Sequence, residues 1–251
     1  MKKLLAFDLD DTLVVTKSPM DDRMADVLTR ALDYFDICVI SGGKYEQFEN
    51  QVINRLKANP EQLRKLHLMP TCGTQYYHFD DVAKKWNRVY SEDLTKEQKQ
   101  RITAVLEEAA KTLGYWEAKP YGEIIEDRGS QVTFSALGQM ASPEKKYAWD
   151  PDGTKKMAIR DYAAKKLPDL EFRAGGTTSV DVTAVGIDKA YGIKKLMEQL
   201  EIGKEDVLFF GDKLQPGGND YPVKAMGIDS MEVSSCLDTV KILESILHVI
   251  D

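Results

Sequence analysis

The sequence predicts an α/β protein: a doubly wound parallel sheet interrupted by an inserted α+β segment. Three observations predict it. First, Leu4-Leu5-Ala6-Phe7, Ile37-Cys38-Val39-Ile40 and Val207-Leu208-Phe209-Phe210 are continuous apolar runs, each followed by Gly, Ser or Asp. Runs of this length without alternation suit strands buried on both faces of a sheet. Second, amphipathic helical patterns lie between and after them. Third, the middle of the chain changes to alternating apolar and polar residues, the mark of antiparallel strands with one wet face.

Taken in order, 4–7 reads as a strand leading into Asp8, and 22–34 as a helix with Met24, Val27, Leu28, Ala31 and Leu32 on one face. A second strand at 37–40 runs into Ser41-Gly42-Gly43 and a helix over 46–56. Residues 94–113 form a long amphipathic helix with Ile102, Val105, Leu106 and Ala109 as its stripe. Strands follow at 122–126, 130–135, 170–174 and 179–183, with a helix that includes 161–166. Ser179-Val180-Asp181-Val182-Thr183 alternates cleanly. A helix over 189–200 and a strand over 207–210 return the chain to the first pattern. The sequence therefore predicts a core from 1–83 and 187–251, and an α+β insert over 84–186, with joints near Asp80-Asp81 and Gly186-Ile187-Asp188.

Composition narrows the function. The chain has 251 residues, 34 Lys plus Arg against 41 Asp plus Glu, and a formal charge of −7. An acidic body repels nucleic-acid phosphates, so sequence-independent binding to nucleic acid is not expected. Three cysteines without a CxxC exclude a disulfide framework and a four-thiolate zinc site, and suit a reducing compartment, so a cytoplasmic location is expected. No apolar run approaches the ~18 residues of a membrane span. Cys38, among Ile37, Val39 and Ile40, reads as a core residue, and the histidines have no ligand spacing.

The chemistry is positional. All three apolar runs end in polar residues: Asp8 and Asp10, Ser41, and Asp212. In an open parallel sheet the carboxyl ends of the strands share one edge, and ligands bind there. Carboxylates gathered at that edge repel one another unless a cation sits among them, and an all-oxygen set suits Mg²⁺. Ser41 with the backbone N–H groups of Gly42 and Gly43 could cradle an anion, Lys189 could reach the same phosphate, and the 212–220 loop returns Asp220 toward the metal. A P-loop kinase is disfavoured, since no GxxxxGK followed by Ser or Thr occurs and Gly42-Gly43-Lys44 is followed by Tyr45.

Asp8-Leu9-Asp10-Asp11-Thr12-Leu13 resembles the first motif of the haloacid-dehalogenase (HAD) superfamily, and Ser41, Lys189 and Gly211-Asp212…Asn219-Asp220 match its other three motifs in order. The insert resembles the α/β cap of the type IIB branch. Phe209-Phe210-Gly211-Asp212-Lys213…Pro216-Gly217-Gly218-Asn219-Asp220, Gly175-Gly176…Ser179-Val180-Asp181-Val182 and Asp188-Lys189-Ala190-Tyr191 are similar to eukaryotic-type phosphomannomutases. The resemblance implies a HAD core with an inserted cap that sets specificity. It also implies Asp8 as the nucleophile, Asp10 as general acid/base and Lys189 as a catalytic and phosphate-binding cation beside Ser41 and Gly42. Mg²⁺ would be held by Asp8, the Asp10 backbone carbonyl and Asp212, with Asn219 and Asp220 in support from the loop.

Departures from the family pattern bear on the outcome. Asp11 stands where Gly is usual. Where the mutases use arginines for the distal phosphate and sugar, this sequence has Lys17, Arg128, Gln139 and Lys146; Ser179 and Asp181 are retained. Lys for Arg loses the bidentate fork, and Gln loses the charge. A mutase must grip a phosphate at each end of a bisphosphate in turn, whereas a phosphatase needs one phosphate site and a water. The expectation is Mg²⁺-dependent phosphoryl transfer on small sugar phosphates through an aspartyl phosphate, with a phosphatase preferred to a phosphomannomutase. A non-enzymatic phospho-receiver is the third reading, disfavoured by the order of Lys189 and Asp212 and by the large insert. The partner expected is a small phosphorylated sugar, with no nucleic acid and no membrane, in a monomer or a cap-mediated homodimer.

Overall fold

The computed structural model describes residues 2–250. In chain order the elements are β1 (Leu4–Asp8), α1 (Asp22–Tyr34), β2 (Asp36–Ile40), α2 (Tyr45–Gln51), α3 (Pro60–Leu63), β3 (Leu66–Met69), β4 (Gln75–Asp80), β5 (Lys85–Ser91), α4 (Lys96–Thr112), β6 (Ile125–Asp127), β7 (Val132–Ser135), α5 (Pro143–Trp149), α6 (Thr154–Lys166), β8 (Leu170–Ala174), β9 (Ser179–Ala184), α7 (Lys189–Leu200), β10 (Val207–Gly211), α8 (Tyr221–Ala225), β11 (Asp229–Glu232) and α9 (Cys236–Ile250). Two compact units result. One takes the residues up to Ser91 and those from Asp188 onward; the other is Glu92–Ile187. The sequence places the start of the insert at residue 84 and its end at 186. Instead Lys85–Ser91 pairs antiparallel with β4 as the outermost strand of the first unit's sheet. It is a partly exposed edge strand, so its sequence carries no apolar run to mark it.

The first unit is a seven-stranded sheet in the order β11-β10-β1-β2-β3-β4-β5. The pairs from β11 through β3 are parallel, and β4 and β5 are antiparallel additions. The chain leaves β1 for β2 on one side, and β10 flanks β1 on the other. The order therefore reverses at β1, and in sheets of this kind the crevice opens at the carboxyl ends of the strands there. Asp8 is the last residue of β1.

The central strands carry unbroken apolar runs because both faces are covered. Leu5, Phe7, Ile37 and Val39 pack into one core with Met24, Leu28 and Leu32 of α1 and Val240, Leu243 and Leu247 of α9. Leu4, Ala6, Cys38 and Ile40 pack on the other face with Ile193 and Leu196 of α7. Alternate residues thus enter opposite cores. Phe7 stacks on Phe210 at 4.7 Å between centroids. Caps fix where the helices begin: Asp21 accepts from Met24 N–H at 2.8 Å, and Asp188 accepts from Tyr191 N–H at 2.9 Å, which starts α7 at Lys189.

The second unit is a four-stranded antiparallel sheet, β6-β7-β9-β8. Val132, Phe134, Val180, Val182 and Phe172 face the apolar stripes of α4 and α6, including Ile102, Leu106 and Ile159. Thr133, Ser135, Ser179 and Asp181 alternate onto the opposite face. Among the described residues no helix is long and apolar enough to cross a membrane.

One turn ties the first unit's site together. Thr71, Cys72 and Gly73 all have left-handed backbone, with φ of 50°, 56° and 83°, a conformation that is strained for Thr and Cys. Thr71 N–H donates to Gly43 O at 3.0 Å and Cys72 N–H to Ser41 O at 2.9 Å. The same turn lies against α7, where a Cβ on Gly192 would stand 2.6 Å from the Cys72 carbonyl oxygen. Gly→Ala in a helix ordinarily gains up to about 1 kcal/mol, but here the methyl meets backbone that cannot swing away. Gly192→Ala is expected to destabilise the protein by about 1–3 kcal/mol in urea denaturation. A neutral or stabilising result would show that the turn gives way.

Candidate active site

The site begins at Lys189, the first residue of α7. Its ammonium is buried and lies 2.5 Å from Asp8 Oδ1 and 2.5 Å from Asp220 Oδ1. Burial opposes its charge, but Asp8 and Asp220 outweigh that and raise its pKa above the usual lysine range. Asp220 is fully buried and its Oδ2 accepts from Lys213 N–H at 3.0 Å. Burial pushes the Asp8 carboxyl up to about 7, opposed by Lys189 and reinforced by Asp220 and Asp212.

Asp212 completes the cluster. One of its oxygens accepts from Lys213 Nζ at 2.6 Å; the other, Oδ1, is buried and has no hydrogen-bond partner. Asp8, Asp212 and Asp220 each offer an oxygen, and these lie within 4.8 Å of one another. Three hard oxygen donors with one buried carboxylate oxygen left unsatisfied fit a divalent cation. Asn219 is exposed on the same loop.

Asp10 is expected among the metal-holding residues through its backbone carbonyl; its carboxylate is not in this cluster. Its Oδ1 accepts from Lys17 N–H at 2.8 Å and from Gln51 Nε2 at 3.3 Å, and its Oδ2 from Gln47 Nε2 at 3.0 Å. Lys17 thus enters through its backbone, and the residue is exposed. Asp11 has φ of 63°, the left-handed region that a glycine would take freely. Asp tolerates it, and its carboxylate accepts from Thr16 N–H at 3.2 Å and Thr16 Oγ1 at 2.7 Å. Ser41 is buried, and its Oγ accepts from Gly43 N–H at 3.2 Å. The Gly43 N–H, expected to face an anion with that of Gly42, is thereby directed at the serine.

On the second unit, the Thr133 hydroxyl donates to Asp181 Oδ1 at 2.7 Å, Gln131 Nε2 donates to Thr133 Oγ1 at 2.9 Å, and the Ser135 and Ser179 hydroxyls are 3.1 Å apart. Arg128 Nε donates to Glu126 Oε2 at 2.7 Å, with each side chain 12% exposed. Lys146 is buried and its Nζ donates to the Gln139 carbonyl at 3.2 Å. Sequence reasoning misses Gln47, Gln51, Lys213 and Thr133. The i, i+4 spacing of the two glutamines is visible in the sequence, but neutral amides carry no chemical signal by themselves.

Comparison with known proteins places this geometry in a family. The model of the eukaryotic phosphomannomutase family matches residues 24–249. The chain belongs to that family. A probable phosphomannomutase from Caenorhabditis elegans is 23% identical over an alignment that spans 100% of this chain and 97% of the relative, and so includes Asp8 and Asp10. Human phosphomannomutase 1 is 26% identical, with 88% and 83% covered. Among solved structures, an N-terminally truncated Plasmodium falciparum IMP-nucleotidase has a TM-score of 0.71 at 20% identity, covering 98% of this chain and 68% of that one. A haloacid dehalogenase-like hydrolase from Bacteroides thetaiotaomicron has a TM-score of 0.65 at 16% identity, covering 98% and 100%. The fold is the HAD core, and the family member is an enzyme of phosphoryl transfer.

The raised Asp8 pKa has a thermodynamic consequence. Folded, Asp8 keeps its proton to about pH 7, whereas the unfolded chain releases it near 3.8. Between those values the metal-free protein loses stability as pH rises. A cation needs the ionised carboxylate and competes with the proton. A divalent cation held by this cluster is therefore expected to raise Tm more at pH 7.5 than at pH 5.5, measured with and without added Mg²⁺. An equal shift at both pH values would contradict the cluster as its binding site.

Proposed function

We propose that the chain is a Mg²⁺-dependent phosphatase of small sugar phosphates that works through phosphorylated Asp8. An Asp8 oxygen attacks phosphorus and the bond from phosphorus to the sugar oxygen breaks, while Asp10 delivers its proton to that oxygen. Water then attacks the phosphoryl group and passes a proton to Asp10. The bond from phosphorus to Asp8 breaks, inorganic phosphate leaves, and both carboxyl groups are restored. Lys189 supplies positive charge beside Asp8 throughout, and Ser41 offers its hydroxyl to the phosphoryl oxygens. Mg²⁺ held by Asp8, Asp212 and the Asp10 carbonyl, with Asp220 in support, would neutralise charge on those oxygens. We assign sugar hydroxyls to Ser179 and Asp181 and anion-binding roles to Arg128 and Lys146 on the second unit and, separately, to Lys17 on the first.

The observation that carries the phosphatase reading is the thin supply of guanidinium. Of the four positions where the family resemblance places arginines, only Arg128 is one, and its Nε is engaged by Glu126 at 2.7 Å. Gln139 brings no charge, and Lys146 is turned to the Gln139 carbonyl. Phosphomannomutase activity is the second reading, favoured by membership of that family. In that case a sugar hydroxyl replaces water as the acceptor from Asp8.

Incubation with Mg²⁺ and hexose 1- and 6-phosphates, with and without a hexose bisphosphate, separates the two. Free phosphate released without bisphosphate is expected. Bisphosphate-dependent isomer with little free phosphate would overturn the phosphatase reading in favour of the mutase.

A further inference from the structure

Asp10 sits apart from the carboxylate cluster, and its orientation is set by a different group of residues. Lys17 N–H and Gln51 Nε2 bond Oδ1, and Gln47 Nε2 bonds Oδ2. Gln51 is anchored independently: its Nε2 also donates to Ser18 O at 2.9 Å, and its backbone carbonyl accepts from Met20 N–H at 2.9 Å. Gln47 is one turn earlier on the same face of α2, and its amide rests on the loop that carries Ser41. A Cβ built on Gly43 would stand 2.2 Å from Gln47 Oε1 and 2.8 Å from its amide carbon. The missing Cβ of Gly43 leaves the space in which the Gln47 amide lies as it bonds Asp10.

We propose that Gln47 is a positioning residue for the proton transfer, aiming Asp10 at the oxygen of the departing or arriving group, with Gly43 shaped to admit it. The proposal rests on Asp10 as the acid/base. A general acid must reach its oxygen within about 2.6–3.2 Å, and an error of about 1 Å can cost on the order of a hundredfold. Lys17 N–H and Gln51 hold one oxygen to the backbone frame. Gln47 fixes the other, and so fixes the rotation of the carboxyl plane. It acts through Asp10, to which its amide is bonded.

The leaving group supplies the test. A sugar alkoxide needs a proton as it departs, whereas p-nitrophenolate departs with little help. Gln47→Leu is expected to lower kcat on a hexose phosphate about 10- to 100-fold with KM within about twofold, and to lower the ratio of kcat/KM for hexose phosphate over p-nitrophenyl phosphate about tenfold or more. Gly43→Ala, whose methyl would meet the Gln47 amide, is expected to move that ratio in the same direction. Gln47→Lys, which restores a donor on a flexible arm, is expected to recover much of the hexose phosphate kcat. Equal losses on both esters, no loss in Gln47→Leu, or no recovery in Gln47→Lys would overturn the proposal. Asp10→Asn distinguishes the two levels. If it turns over hexose phosphate at the parent rate, the acid/base reading itself fails; if it is inactive while Gln47→Leu is fully active, only the positioning role fails.

Discussion

Lys189 stands between Asp8 and Asp220, 2.5 Å from an oxygen of each, with all three side chains removed from water. The rest of the site depends on this arrangement. Three carboxylates at the ends of two strands and a loop would repel one another in a medium that screens weakly. One buried ammonium offsets part of that charge and leaves a net negative cluster with Asp212 Oδ1 unsatisfied. Burial, with Asp220 and Asp212 alongside, raises Asp8 toward neutrality in the absence of a cation, and a cation among the three would favour its ionised form. Losing one partner of such a buried set ordinarily costs about 3–5 kcal/mol, so the site and the stability of the first unit are bound together.

The sheet makes that convergence possible. Asp8, Asp212 and Lys189 are far apart in the chain and meet because β1 lies between β10 and β2, with α7 starting beside them. The turn at Thr71–Gly73 then locks the Ser41 loop to β3 and presses against Gly192 of α7. Strained backbone at Thr71 and Cys72 is held there by bonds on both sides, as expected where rigidity is needed next to reacting groups. Asp11 illustrates the same economy. It accepts a backbone conformation suited to glycine, and its carboxylate closes the turn onto Thr16.

The parts of this that were legible in the sequence share a property: their signal is local. Continuous apolar runs disclosed β1, β2 and β10, and the ordered motifs pointed to Asp8, Lys189, Asp212 and Asp220, which the fold brings together; the roles of Asp10 and Ser41 stay with the proposal. The helices over Asp22–Tyr34 and Lys189–Leu200 follow from their apolar stripes and caps. β4 and β5 were not legible, because antiparallel edge strands with mixed aromatic and charged residues lack a clean period; this displaced the insert's first boundary. α9 had a readable stripe in Val240, Leu243 and Leu247 but no motif to draw attention to it. At the site, Gln47 acquires meaning only once α2 is set beside Asp10. Arg128 pairs with Glu126 from just past the end of β6, where no strand period applies.

Family membership and the HAD fold fix the class of chemistry; which acceptor receives the phosphoryl group turns on how the anionic parts of the substrate are held. Both readings pass through the same event, formation of an acyl phosphate on Asp8, and that event is the central claim. The most direct measurement is reductive trapping during turnover. The enzyme is quenched with borohydride in the presence of Mg²⁺ and a hexose phosphate, digested, and sequenced by mass spectrometry. Reduction of an aspartyl phosphate gives homoserine, so the account predicts homoserine at position 8, dependent on substrate and absent from Asp8→Asn. Turnover with aspartate intact at position 8, or with the modification at another carboxylate such as Asp10 or Asp212, would contradict it.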